Sequence, residues 1–284
     1  MTIHTARKPI ASPIDRYVNV DNVKTRYWCE GNASSTIVIV HGFGVAMEHW
    51  RECFIALAQT HRVYAMDLVG FGKTEKPDVE YSIAYLADFV FEFVKTQHVE
   101  QAGFVWHSLG GAVVMQLALS HPDLVRKLVL VSSAGLGVDA SLGMRLLTLP
   151  YIGEIFVRPN RWLLQIFFRD AVYHQGRFPE ELVDVYAEML ALPHAREMRL
   201  KILRALASWR GPREWIIPML EHLRTLNVPT LILWGKQDNV LPVKNAYEAL
   251  KKLPNARLHV FNECGHNPQM EYVDDVRKMI AEFL

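Results

Sequence analysis

The sequence predicts an α/β protein: a mostly parallel sheet covered by helices on both faces, with a helical insert late in the chain. Three observations predict it. Short apolar runs alternate with longer segments of helical spacing, which is the pattern of strands joined by crossover helices. The alternation then breaks for roughly ninety residues, too many for a loop without structure of its own. And the 284 residues, half of them apolar, are enough to bury one large core.

The strands come first. Residues 35–40, 63–68, 102–106, 128–131, 230–234 and 257–261 are short, rich in β-branched or aromatic side chains, and bounded by Gly, Pro or polar residues. Two earlier segments, 17–20 and 24–29, are candidates for an antiparallel hairpin at one edge, turning near Asp21 and Asn22. Helices are expected at 47–59, 81–98, 109–120, 243–253 and 273–283. In 81–98 the residues Tyr85, Phe89 and Phe93, with Leu86 and Val90, recur three to four apart and form a broad apolar face. The expected division is a core domain made of 1–135 and 227–284, interrupted by a cap over 136–226. Within the cap, helices are expected at 142–149, 160–169, 179–191, 194–208 and 213–224, punctuated by Pro150, Pro159, Pro179, Pro193 and Pro212. An insert placed there lies over the carboxyl ends of the strands, where α/β sheets bind ligands.

Composition removes several functions. Lys plus Arg number 31 and Asp plus Glu 30, so no basic surface for nucleic acid is expected. Three widely spaced cysteines, Cys29, Cys53 and Cys264, form neither a disulfide framework nor a zinc motif. None of the 12 histidines has metal-ligand spacing, so neither metal nor cofactor is expected. Residues 1–14 contain no long apolar run, and no stretch of the chain is long and apolar enough to span a bilayer. The expectation is a cytoplasmic protein.

Four segments carry chemistry. Trp106-His107-Ser108-Leu109-Gly110-Gly111 follows one expected strand and opens one expected helix. A serine on so sharp a turn has its hydroxyl held clear of the sheet, and the backbone N–H of Leu109 points at the oxygen of a bound carbonyl. His41-Gly42-Phe43-Gly44 follows strand 35–40, and the N–H of Phe43 is the natural second donor of an oxyanion hole. Asp238 lies just beyond strand 230–234, and His266 just beyond strand 257–261. A serine hydroxyl is a poor nucleophile near neutral pH. His266 is positioned to take its proton and return it to the leaving group, with Asp238 fixing the imidazole tautomer. Gly42, Trp106, His107 and Val240 are expected to contact substrate. Asp67 and His41 are expected to support the oxyanion loop, and Cys264 to be a small buried hydrophobe.

The order Ser108, Asp238, His266, each after a different strand, resembles the α/β-hydrolase fold superfamily. Asp67-Leu68-Val69-Gly70-Phe71-Gly72-Lys73-Thr74 resembles that family's DxxGxGxS loop, and Pro268-Gln269-Met270-Glu271 matches the segment after its histidine. The likeness runs from about Tyr17 to Leu284 and implies an eight-stranded, mostly parallel sheet whose second strand is antiparallel, with a helical cap before the acid-bearing strand. It points to small capped esterases, lactonases and carbon–carbon bond hydrolases. One position departs. The family's turn reads Gly-x-Ser-x-Gly, and Trp106 stands at its first position. Either the space has opened and Trp106 is structural, or it reshapes the pocket behind Ser108, or its bulk distorts the turn.

The expected function is hydrolysis of an ester, thioester or lactone of a small apolar substrate through an acyl-enzyme. The carbon–carbon hydrolases resemble one another in carrying Trp after the histidine, where this chain has Asn267. A carbon–carbon bond hydrolase, a lyase, a cofactor-free perhydrolase and a non-catalytic or slow-turnover ligand receptor on the same fold are the alternatives. Much of the apolar bulk at 146–168 is expected to bury against the core, and some of it to line a pocket above Ser108. The segment 162–168, flanked by Arg158, Arg161 and Arg169, is a candidate lipid contact.

Overall fold

An antiparallel hairpin forms one sheet edge. Strands β1 (Arg16–Val20) and β2 (Val23–Glu30) pair through Asp21 and Asn22, whose φ values are 47° and 64°. Asp and Asn tolerate that left-handed conformation, which the tight hairpin turn needs. The structure is a computed structural model and describes residues 13–158 and 160–284. The expectations for Pro159, and for the N-terminus over residues 1–12, lie outside the described residues.

From there strands and helices alternate. Strand β3 (Thr36–Val40) leads through a 3-10 turn at Met47–Trp50 into α1 (Arg51–Leu57). Then come β4 (Arg62–Met66), α2 (Ile83–Thr96), β5 (Ala102–His107), α3 (Leu109–Ser120) and β6 (Val125–Val131). Helix α2 starts where Ser82 accepts the Tyr85 N–H at 3.0 Å, an N-cap that satisfies one otherwise orphaned donor. The insert follows, with α4 (Leu142–Leu146), α5 (Ile152–Phe156), α6 (Arg161–Asp170), α7 (Glu180–Ala191) and α8 (Ala195–Leu206). A two-residue ladder pairs β7 (Ala207–Ser208) with β8 (Gly211–Pro212), and α9 (Ile216–His222) returns the chain to the sheet. The chain ends with β9 (Thr230–Gly235), α10 (Lys244–Leu250), β10 (Ala256–Phe261), α11 (Pro268–Glu271) and α12 (Val273–Phe283).

The main sheet has eight strands in the order β1-β2-β4-β3-β5-β6-β9-β10. Strand β2 runs antiparallel to both neighbours, and every other pairing beyond the hairpin is parallel. Period-two alternation divides the core into two layers. Val38, Val40, Phe104, Trp106, Leu128 and Leu130 face α2, α3 and α9. Ile37, Ile39, Val105, Val129 and Val131 face α1 and α12. Both β5 and β9 are buried along their whole length, which explains why they read as unbroken apolar runs. A third apolar cluster joins α6 and α7, through Leu164, Phe168, Leu182 and Tyr186, to Val45 and Ala46 of the loop after β3.

The structure differs from the expected elements in detail. The helix expected at 47–59 is a 3-10 turn followed by two turns of α-helix. Helix α5 had no expected counterpart, because it is only five residues long and directly follows Pro150-Tyr151, where Pro150 reads as punctuation. Among the described residues, no helix is long and apolar enough to cross a membrane.

Candidate active site

Ser108 sits between β5 and α3 with φ 53° and ψ −122°, a left-handed conformation that costs a non-glycine residue about 1–3 kcal/mol. The surroundings enforce it. The Ser108 N–H donates to Val131 O at 3.0 Å, and its carbonyl accepts from Gly111 N at 3.0 Å and Ala134 N at 2.9 Å. The turn also explains the two glycines. A Cβ on Gly111 would stand 1.7 Å from Ser133 Oγ, and one on Gly110 would stand 2.7 Å from Trp106 Cε3 and 2.8 Å from His41 O. Gly110 is thus the space into which the Trp106 ring packs.

The loop after β3 closes on the serine. A Cβ on Gly42 would lie 2.9 Å from Ser108 Cβ and 2.8 Å from His107 Nδ1, so only glycine allows this approach. His41 accepts the Leu68 N–H on Nε2 at 3.0 Å and donates from Nδ1 to Gly42 O at 2.7 Å. Asp67 accepts from Met47 N and Lys73 N, each at 2.9 Å, and from Arg26 Nη1 at 3.2 Å. Both residues therefore brace this loop, as expected.

Asp238 and His266 meet. Asp238 Oδ2 accepts from His266 Nδ1 at 2.8 Å, while Oδ1 accepts the Val240 and Leu241 N–H groups at 2.8 Å each. In the neutral ring this pairing puts the proton on Nδ1 and leaves Nε2 free to accept one. His107, next to Ser108, donates from Nε2 to His266 O at 2.9 Å, and their rings lie 4.7 Å apart. Ser108, Phe43, Leu109, Val240 and Leu241 border one cavity of about 100 Å³. The insert supplies its opposite wall through Met144, Arg145, Leu203, Leu206 and Trp215. The structure thus puts Ser108, Phe43 and Leu109 on one cavity wall, joins Asp238 to His266, and sets the His266 ring beside that of His107, the neighbour of Ser108.

Three expected substrate contacts stand elsewhere. Trp106 is fully buried in the layer facing α2 and α3, beneath the turn and off the cavity wall. Its position in the strand points its ring into the core, so the pocket role expected for it is corrected to a packing role. His107 is likewise buried and is engaged with His266. Gly42 touches Ser108 from behind and does not line the cavity. Val240 lines it as expected.

Several residues that hold the site were not anticipated. Glu271 is 4 % exposed. Its Oε1 accepts Gly265 N at 2.7 Å, and its Oε2 accepts Tyr173 N and His174 N at 2.9 Å each. The Ala171 carbonyl accepts His266 N at 2.8 Å and Asn267 Nδ2 at 3.1 Å. His49 donates from Nε2 to Asn267 Oδ1 at 2.8 Å and accepts from the Tyr186 hydroxyl at 3.1 Å. The histidine loop is therefore clamped to the insert at Ala171–His174 and, through His49, to α7. Burial lowers the pKa values of His41, His49 and His107 and keeps them neutral, that of His49 to about 3. Burial, reinforced by Glu271, pushes the Cys264 thiol well up, so it is no thiolate nucleophile. Among the described residues, no group of three His, Cys, Asp or Glu side chains is placed to hold a metal ion.

The family model described as alpha/beta hydrolase fold matches residues 35–272. A 2-hydroxy-6-oxo-6-(2'-aminophenyl)hexa-2,4-dienoic acid hydrolase of Metapseudomonas resinovorans is 30% identical over 98% of this chain and 93% of its own. A meta-cleavage product hydrolase from Pseudomonas fluorescens IP01 has a similar structure, with TM-score 0.81 and 25% identity, over 94% of this chain and 96% of that one. A membrane phospholipase A is similar too, with TM-score 0.82 and 26% identity, over 95% of this chain and 85% of that one.

Proposed function

This chain belongs to the alpha/beta hydrolase fold family, and from that premise we propose that it is a serine hydrolase cleaving the carbon–carbon bond beside a ketone in a conjugated keto acid. The observation that carries the hydrolase reading is the Asp238–His266 pair, joined at 2.8 Å, whose imidazole lies 4.7 Å from the ring of His107, the residue next to Ser108 on the cavity wall. The relatives whose names specify 6-oxo dienoic acids support the bond. Ser108 Oγ adds to the ketone carbon as His266 Nε2 takes its proton, and the Phe43 and Leu109 N–H groups receive the developing oxyanion. The carbon–carbon bond then breaks. In the diketo tautomer of the dienol substrate the leaving carbon is saturated, so its electron pair delocalises through the enone into the acid half as a dienolate, whose oxygen takes the proton back from His266. Water, deprotonated by the same imidazole, releases the acid from Ser108 and restores the enzyme.

A second reading, hydrolysis of apolar carboxylic esters by the same steps, draws support from Asn267 standing where the carbon–carbon hydrolases carry Trp, and from the likeness to a phospholipase A. One experiment separates the two. The enzyme is given 2-hydroxy-6-oxo-6-(2'-aminophenyl)hexa-2,4-dienoate and, separately, 4-nitrophenyl esters of graded chain length. The expected result is steady release of 2-aminobenzoate and 2-hydroxypenta-2,4-dienoate, reduced by about 10³-fold or more in Ser108→Ala. Turnover of the esters alone would establish the second reading. A single acylation followed by arrest would leave a ligand receptor.

A further inference from the structure

Arg199 projects from α8 into the space between the insert and the oxyanion loop. It is 6 % exposed, and its Nη1 has no hydrogen-bond partner. The contacts the structure gives it are two aromatic faces, with its guanidinium carbon 5.4 Å from the centre of Phe43 and 5.8 Å from that of Phe167. Burial lowers its pKa to about 10, and no acid offsets that shift. A guanidinium taken out of water without an anion is strongly disfavoured, and aromatic faces return only part of the loss.

Its position ties it to the reaction centre. A Cβ on Gly44 would stand 2.4 Å from Arg199 Nη2, so the guanidinium lies against the oxyanion loop one residue past Phe43. Arg199 borders a small cavity of about 20 Å³ whose walls include Phe43 and Leu203. The same two side chains border the cavity that contains Ser108. Phe43 and Leu203 are thus common to the walls of the cation's cavity and of the one that contains Ser108.

We propose that Arg199 is the carboxylate-recognising residue of this enzyme, pairing with an acid group that the substrate carries beyond Phe43 while its reacting carbonyl sits at Ser108. A guanidinium presents a planar fork of donors that matches a carboxylate, and the pair forms in a site already stripped of water. The inference rests on the hydrolytic reading of Ser108 for the placement of the carbonyl, and it selects keto acids and acid-bearing esters over neutral esters.

The test is a binding measurement on Ser108→Ala, which cannot turn over. Its ligands are 6-oxoheptanoate and the uncharged methyl 6-oxoheptanoate, titrated calorimetrically. The acid is expected to bind at least about tenfold more tightly than the ester. That preference is expected to vanish in Ser108→Ala/Arg199→Met and to survive Ser108→Ala/Arg145→Met, which removes the cation that does line the main cavity. The ligand-free Arg199→Met protein should melt at the same or a higher temperature, because an unpaired buried charge has been removed. Absence of the preference, its persistence without Arg199, or its dependence on Arg145 would overturn the proposal. A failure of the hydrolytic reading looks different: acid binding through Arg199 would remain, and the unmutated enzyme would turn over neither keto acid nor ester.

Discussion

The floor under Ser108 and the clamp behind His266 hold their residues by opposite means. The floor is shape: Trp106 fills the place of a missing Cβ on Gly110, Ser133 that on Gly111, and the Trp106 Nε1–H finds no acceptor in the dry layer. The clamp is polar: Glu271, Asn267 and the Ala171 carbonyl tie Gly265, His266 and Tyr173 together across core and insert. A nucleophile needs one fixed location, which close packing provides. A base must also keep one tautomer and one ring orientation, which only directed hydrogen bonds specify. The placement of His266 therefore depends on how the insert is seated, whereas that of Ser108 depends on β5, α3 and the loops packed around the turn.

The sharpest way to break the polar side is Asp238→Asn. One amide oxygen still serves Val240 and Leu241, but the NH₂ group faces His266 Nδ1 and forces the proton onto Nε2. The turnover number is expected to fall by about 10⁴ with the circular dichroism spectrum unchanged. A fall below tenfold would place the acid elsewhere.

The floor should respond in stability rather than in rate. Trp106→Ala empties a fully buried site and is expected to cost about 3–5 kcal/mol in a urea melt, with the substrate profile of the folded fraction unchanged. An altered profile at full stability would make Trp106 a wall of the pocket after all.

The smallest effect comes from pH, acting on the polar side. His49 is neutral when folded, with a pKa lowered from 6.5 to about 3, so the unfolded chain binds more protons across that window. Stability therefore falls as pH drops below 6.5, by up to about 1.4 kcal/mol per unit for this residue. Replacing His49 with Gln should flatten the pH dependence of the urea midpoint between pH 6.5 and 4. An unchanged slope would mean that other groups carry it.

The sheet and the three side chains expected to form the triad were legible because each leaves a local mark. Strands such as 35–40 and 230–234 are short apolar runs with abrupt ends, and Ser108, Asp238 and His266 each follow one of them. The clamp left no such mark. His49 meets Tyr186 and Asn267 across separations of 137 and 218 residues, so nothing near it in sequence announces the contact. Arg199 was hidden differently. It lies in a helix with Arg196, Lys201 and Arg204, where a cation reads as part of a wet face, and only tertiary packing makes it the buried one. Trp106 was visible as an anomaly, but its direction depends on strand register, which decides which face receives the ring.

The backbone at position 108 has a consequence for how this lineage ages. Glycine would rest without penalty in a geometry that serine occupies under tension, so losing the hydroxyl there also relieves the fold. A descendant freed from its duty would drift first at this residue and gain robustness by doing so.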